Sequence, residues 1–305
     1  MRFMAGTVVE VEGVRLSFGA VEALRDVSFA APEGVVVGIV GPDGAGKTTL
    51  VRVIVGLLEP DAGAVRVLGL EVPRQAAELK PLLGYLPERL GLHAHMTVRE
   101  NMEYFAALNG VPRRRVKERV EELLALTLLE PFAGRLAGQL SGGMKQKLAL
   151  ACAVIHEPRL VVLDEPSTGL DPLFRRDMWE LIHDLAAAGA GAIAATPSFE
   201  EAARCQWIVV LDGGRVLCAG EPDEITATAA GRVWQAPATR EAGGAFAGLG
   251  EGVRVSRRGQ WLRLVLVDDA AQAGMEDAAA RAGVNLRPDQ PTLEDAIVLM
   301  KAVGG

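Results

Sequence analysis

No apolar stretch in this chain approaches the roughly 20 residues that a membrane-spanning helix needs, and no cleavable leader is apparent. Half of the 305 residues are apolar, enough for a large core, so the sequence predicts a soluble protein with two domains as the natural division. Cysteine is scarce. Cys152, Cys205 and Cys218 are scattered and form no C-x-x-C pair, which predicts reduced thiols in a cytoplasmic setting. Positive charge is also in short supply. The formal net charge of −7 argues against a general grip on nucleic acid, which needs an electropositive surface. The run Arg113-Arg114-Arg115 reads as a solvated helix start.

What the chain does have is the segment Gly41-Pro42-Asp43-Gly44-Ala45-Gly46-Lys47-Thr48-Thr49. Gly41, Gly46, Lys47 and Thr48 satisfy the phosphate-loop pattern G-x-x-x-x-G-K-[ST]. The apolar run 35–40 before it reads as a buried parallel strand, and 49–58 after it reads as a helix. Glycines let successive backbone N–H groups turn toward phosphate oxygens, and the helix N-terminus adds its positive end. Lys47 suits the β- and γ-phosphates, and the Thr48 hydroxyl suits Mg²⁺.

A second apolar run, 160–163, ends in Asp164-Glu165. Beside a phosphate loop these carboxylates have distinct uses. Asp164 holds Mg²⁺, usually through water, and Glu165 orients or deprotonates an attacking water. The segment 166–171 then reads as a turn.

The order phosphate loop, S-G-G, D-E-P, G-L-D resembles the nucleotide-binding domain of ATP-binding-cassette (ABC) transporters over about residues 7 to 220. That resemblance implies an α/β fold: a P-loop NTPase catalytic lobe with a helical signature subdomain, followed by a small C-terminal α+β accessory domain. It implies ATP and Mg²⁺ as cofactors and a face-to-face pair of cassettes. Ser141, Gly142, Gly143 and Met144 correspond to the signature that binds the γ-phosphate of ATP held by the other subunit. Asp171 corresponds to a residue placed across the dimer interface. Phe18 occupies the place where an aromatic stacks on adenine. Glu88, in Gly84-Tyr85-Leu86-Pro87-Glu88, stands where the family usually has glutamine. That version resembles the drug- and lipid-exporting branch with ABC-2-type membrane subunits.

One position departs from the pattern. After the strand 192–196 the family has a histidine that touches the γ-phosphate, and here Pro197 fills that slot. None of His93, His95, His156 or His183 falls there. Proline offers neither a side-chain donor nor a backbone N–H. In this respect the chain resembles the first cassette of exporters that fuse two unequal cassettes, which implies an impaired site of its own.

The expected division is 1–87 with 156–220 as the catalytic lobe, 88–155 as the helical subdomain, and 221–305 as the accessory domain. Thr97 with Glu100 reads as a capping box, and Val116, Val120, Leu123 and Leu124 continue at helical spacing. Beyond 221, the Gly- and Ala-rich stretch 236–252 reads as a loop. Leu262, Leu264 and Leu266 alternate as on one face of a strand over 261–267. The stretch 270–282 reads as a helix, and Thr292 with Asp295 caps a last one bearing Leu293, Ala296, Ile297 and Met300. The family resemblance implies an exporter ATPase peripheral on the inner face of the cell membrane. Its expected partners are integral-membrane permease subunits and a second nucleotide-binding domain, in a homo- or heterodimer, with no nucleic acid. A soluble non-transport ABC ATPase or a nucleotide-dependent regulator is the alternative. Against the former stand a single phosphate loop, no long coiled coil and no zinc-binding cysteine set.

Overall fold

The computed structural model describes residues 6–303; residues 1–5 and 304–305, at the outer ends of the expected domains, lie outside the described residues. Two compact units divide the chain, 1–219 and 220–305.

The first unit opens with the antiparallel pair β1 (Thr7–Phe18) and β2 (Val21–Pro32). Next, β3 (Val36–Val40) runs through the phosphate loop into α1 (Lys47–Ile54). The strands β4 (Ala62–Val67) and β5 (Leu70–Val72) complete a four-stranded sheet in the order β2-β1-β4-β5. After α2 (Ala76–Leu79) and β6 (Leu83–Leu86) comes a helical insert of α3 (Val98–Leu108), α4 (Arg113–Thr127) and α5 (Gly142–Val154). The chain returns through β7 (Leu160–Asp164), α6 (Pro172–Ala187), β8 (Gly191–Thr196), α7 (Phe199–Ala202), β9 (Trp207–Asp212) and β10 (Arg215–Gly220).

The second sheet has the order β10-β9-β3-β8-β7-β6, and it is parallel from β9 through β6. Parallel strands covered on both faces need apolar side chains at every position. Accordingly, every residue of β3, β7 and β8 is buried. Because β3, β8 and β7 are neighbours of one direction, with Val40 opposite Thr196 and Asp164 opposite Ala195, their C-terminal ends share one edge. Ligands of open α/β sheets bind at that edge. The core beneath it joins the two sheets through Val9, Leu24, Ile39, Leu50, Ile54 and Val162.

Local signals explain several helix ends. Thr97 and Glu100 form the complete capping box at α3. On α4 the buried stripe is Val120, Leu123, Leu124 and Thr127, while Arg113 and Arg114 are exposed at its start. The helix expected over 49–58 is instead Lys47–Ile54. It starts early because Gly46, at φ 101°, is its N-cap. It stops early because Gly56 turns left-handed at φ 75°, letting Leu57 N–H reach Arg52 O at 2.8 Å and Gly56 N–H reach Val53 O at 3.1 Å. That pair of bonds is a Schellman closure.

The second unit contains α8 (Pro222–Ala227), β11 (Val233–Pro237), α9 (Arg240–Phe246), β12 (Val253–Arg258), β13 (Trp261–Leu266), α10 (Gln272–Arg281), β14 (Arg287–Pro288) and α11 (Leu293–Val303). Its sheet is antiparallel, β12-β13-β11-β14. One expectation fails here. The stretch 236–252 is not all loop, because α9 forms within it, capped by Thr239 and anchored by buried Ala242 and Phe246. The strand expected over 261–267 forms as β13, and Leu262 through Leu266 are all buried, Arg263 included. Arg263 is tolerable there because it is fully paired. Its Nε donates to Asp295 Oδ1 at 2.9 Å, and its Nη2 donates to Asp295 Oδ2 and Gln290 O at 2.6 and 2.7 Å. Its Nη1 pairs with Asp289. At the cap of α11 the Thr292 hydroxyl donates to Asp295 Oδ2 at 2.6 Å, so Asp295 is the acceptor that organises this turn.

Candidate functional site: a phosphate loop facing two carboxylates

Lys47 is buried to 4 % exposure at the first position of α1. A buried ammonium has to be paired. Its Nζ donates to the carbonyls of Gly41 and Pro42 at 3.0 and 3.2 Å, and lies 3.5 Å from Glu165 Oε1 and 3.9 Å from Asp43 Oδ1. The α1 N-cap is a glycine with no side-chain cap bond, so the first turn presents backbone donors to the loop. Together they make an anion site.

Thr48 Oγ1 donates to Asp164 Oδ1 at 3.0 Å. The second oxygen, Asp164 Oδ2, is buried without a hydrogen-bond partner. Burial, above all, pushes the Asp164 carboxyl up. The negative charges of Glu165 and Glu88 push the same way, while the Thr48 hydrogen bond and Arg52 oppose them. An orphaned carboxylate oxygen beside a hydroxyl, in a locally negative setting, fits a hard divalent cation. Among the described residues no group of three or more His, Cys, Asp or Glu is placed to hold a metal. An ion at Thr48 and Asp164 would therefore take most of its oxygens from water and phosphate, the habit of Mg²⁺.

Glu165 follows β7 with a left-handed φ of 52°. Its N–H donates to Ala195 O at 3.0 Å, and its Oε2 accepts from Thr168 Oγ1 at 3.0 Å. The carboxylate is thus aimed back at the phosphate loop.

Asp43, Gly44, Gly46, Lys47, Thr48, Thr49 and Glu165 line one open cavity of about 360 Å³. Val21, Glu22, Ala23, Arg25, Gly213 and Gly214 complete its wall, and sequence reasoning missed them. The available signal was the double glycine between two apolar runs at 207–220. Gly214 N–H donates to Ala45 O at 3.1 Å and its carbonyl accepts from Arg25 N–H at 2.7 Å, which brings that turn to the loop. Phe18 is 52 % exposed at the end of β1 and is not in this wall; Val21, its partner across the turn, is. Glu88 is exposed just beyond β6.

Ser141 caps α5, its Oγ accepting from Met144 N–H at 3.3 Å. Accepting that bond leaves the hydroxyl proton to be donated to an anion. Lys147, one turn on, reaches α6 through Asp177 Oδ2 at 3.0 Å and the face of Phe174 at 5.5 Å. Asp171 caps α6 with Oδ1, accepting from Leu173 and Phe174 N–H. Neither Asp171 nor residues 141–144 line the cavity around Lys47. Pro197 is exposed in the turn between β8 and α7. Beside it, Ser198 N–H donates to Thr196 Oγ1 at 3.1 Å, and Ser198 Oγ accepts from Glu201 N–H at 3.3 Å.

The parallel sheet, the strand–loop–helix at Lys47 and the facing Asp164–Glu165 pair define a P-loop NTPase of α/β fold. Among the described residues no helix is long and apolar enough to cross a membrane. The ABC transporter family pattern matches residues 24–168. The chain is 40 % identical over 220 residues to the Nod factor export ATP-binding protein I of Rhizobium sp. (strain N33), covering 72 % of each chain. It is 36 % identical over 303 residues to the probable multidrug ABC transporter ATP-binding protein YbhF of Escherichia coli (strain K12), covering 97 % of this chain and 52 % of that protein. It thus spans about half the length of YbhF. A solved structure titled as the ATP binding subunit of an ABC transporter superposes with a TM-score of 0.66 at 33 % identity, over 73 % of this chain and 93 % of the other. A dimeric post-hydrolysis structure of the cassette MJ0796, bound to ADP and Pi, gives 0.64 at 25 % identity, over 70 % and 98 %. The chain belongs to the ABC transporter family.

Proposed function

We propose that this chain binds MgATP and hydrolyses it to power an exporter whose pathway is formed by separate integral-membrane permease subunits. The observation that carries this reading is the pairing of Thr48 with Asp164 by a hydrogen bond and of Lys47 with Glu165 by an ion pair, which joins the phosphate loop to both carboxylates. Lys47 neutralises the β- and γ-phosphates, and Phe18 packs on the adenine. Thr48 and Asp164 hold Mg²⁺, which when bound supplies charge neutralisation at the phosphates. Glu165 orients the attacking water and accepts its proton. Glu88 offers an oxygen toward the Asp164 side of the site.

The cassette works as one of a pair. Ser141, Gly142, Gly143 and Met144 serve ATP held by the partner cassette, with Asp171 at the interface between them. Pro197 supplies no donor to the γ-phosphate, so the site built on Lys47, Asp164 and Glu165 turns over slowly. Residues 1–87 and 156–220 act as the catalytic lobe, 88–155 as the helical subdomain and 221–305 as an accessory domain. The chain works in the cytoplasm against the inner face of the cell membrane.

An apolar groove of about 490 Å³ supports the membrane partnership. Leu57 from the end of α1, Tyr85 and Leu86 from β6, Phe105 and Leu108 from α3, and Cys152 from α5 line it. Leu57 and Leu108 are 61 % and 56 % exposed, and large exposed apolar patches mark binding sites. Burial raises the Tyr85 phenol and the charge of Asp164 raises it further, while Arg52 opposes both. A short apolar segment of the permease fills the groove. Leu57→Glu with Leu108→Glu should release the co-expressed chain from membranes while leaving MgATP affinity of the purified chain unchanged. Retention of the double variant on membranes, at wild-type levels, would reject the groove as the docking surface.

A further inference from the structure

Outside the groups assigned above, Glu201 is paired through both of its carboxylate oxygens at this edge of the sheet. It sits on the short helix α7 and is 4 % exposed. A buried carboxylate is costly unless both oxygens are paired, and both are. Ser167 Oγ donates to Oε1 at 2.6 Å, and Thr196 Oγ1 donates to Oε2. Arg175 Nε on α6 lies 3.4 Å from Oε1. It makes no hydrogen bond there, so its contribution is charge compensation alone.

The partners are informative. Ser167 is two residues past Glu165, in the turn whose Thr168 hydroxyl donates to Glu165 Oε2. Thr196 ends β8, and its hydroxyl also accepts from Ser198 N–H, closing the turn around Pro197. One carboxylate therefore ties the turn that follows Glu165 to the turn that holds Pro197. Glu165 itself has a left-handed φ, a conformation that a non-glycine residue keeps only where its surroundings over-determine it. The Ser167–Glu201 bond is part of what does so.

We propose that Glu201 is a positioning residue of the hydrolytic site: it fixes the direction of the Glu165 carboxylate by anchoring Ser167 to the Thr196–Ser198 turn. The inference rests on the ATPase reading given above. Glu201 is buried and does not line the cavity around Lys47, so its loss should slow the chemical step without weakening nucleotide binding.

The test is single-turnover hydrolysis of radiolabelled ATP with the full chain in excess, together with calorimetric MgATP affinity. Glu165→Gln, measured first, must slow hydrolysis; if it does not, the ATPase reading fails on its own. Given that slowing, Glu201→Ala should lower the rate by about ten- to a hundredfold, the scale of a misaimed group. Affinity should stay within about twofold, well inside the tenfold that 1.4 kcal/mol represents. Glu201→Gln, which keeps an acceptor oxygen, should recover part of the rate. In the Glu165→Gln background, Glu201→Ala should cost nothing further, because nothing remains to be aimed. A rate unchanged by Glu201→Ala, an equal further loss in that background, or a parallel loss of affinity would each overturn the proposal. Should Glu201→Ala fail to fold, Ser167→Ala removes only the anchored hydroxyl and carries the same test with the same outcomes.

Discussion

Thr48 Oγ1 and Asp164 Oδ1, 116 residues apart in the chain, are joined by a hydrogen bond of 3.0 Å across the phosphate loop. The bond exists because β3 and β7 flank β8 in one parallel sheet and end at the same edge. It predicts a division of labour between adjacent residues. Lys47→Ala removes a charged donor from the phosphates and should cost about 1.5–3 kcal/mol, roughly ten- to a hundredfold in ATP affinity. Thr48→Ala should instead weaken the dependence of binding on Mg²⁺. Calorimetry with and without Mg²⁺ separates the two, and unchanged binding in Lys47→Ala would refute the phosphate-loop assignment.

The Lys47 ammonium and Glu165 Oε1 are 3.5 Å apart, so the lysine is held partly by the residue proposed to orient water. Glu165→Gln removes that competing charge and the base together. MgATP binding should be retained or tightened while hydrolysis slows. In size-exclusion chromatography with MgATP the variant should elute as a larger species than without nucleotide. Wild-type hydrolysis by this variant would remove Glu165 from the mechanism.

In the second unit, Arg263 and Asp295 are both buried and share two hydrogen bonds. Removing one partner of such a pair strands the other, so Asp295→Ala should destabilise this unit by about 3–5 kcal/mol. Burial alone would raise the Asp295 carboxyl, but hydrogen bonds from Arg263 and Thr292 outweigh it and hold it below the ordinary carboxylate range. A carboxyl depressed by folding stabilises fully above its unfolded pKa, about 3.9, and this stabilisation is lost as pH falls through the folded value. Denaturant titrations should show stability falling below about pH 4, with a flatter acid limb in Asp295→Asn.

The legible parts of this fold were those in which local pattern and tertiary role agree. Buried parallel strands leave unbroken apolar runs, so β3 and β7 stood out along with the loop and the carboxylates they deliver. The Thr97–Glu100 box at α3 is local by nature and was equally visible. Elsewhere tertiary packing decided. Two glycines inside α9 lower its helix propensity by about 1 kcal/mol each, yet burial of Ala242 and Phe246 holds it helical. The alternation of Leu262, Leu264 and Leu266 marks the strand but carries no signal for the burial of Arg263, whose carboxylate partners lie 26 and 32 residues away. Glu201 was unremarkable in sequence for the same reason, since Ser167 is 34 residues distant.

Pro197 is exposed in the turn after β8, whose C-terminal end lies between those of β3 and β7. Losing one preorganised donor to developing charge costs about 2.7–4 kcal/mol, or roughly a hundred- to a thousandfold in rate. The Ser198 hydroxyl, already accepting from Glu201 N–H, is the neighbouring group that could substitute, so the measurement includes it. Steady-state ATP hydrolysis should be compared for the purified wild-type chain, Pro197→His and Ser198→Ala under the same Mg²⁺ and ATP concentrations. Feeble wild-type turnover, raised by Pro197→His and little changed by Ser198→Ala, is the predicted result. Robust hydrolysis by the wild-type chain alone, insensitive to both substitutions, would contradict it.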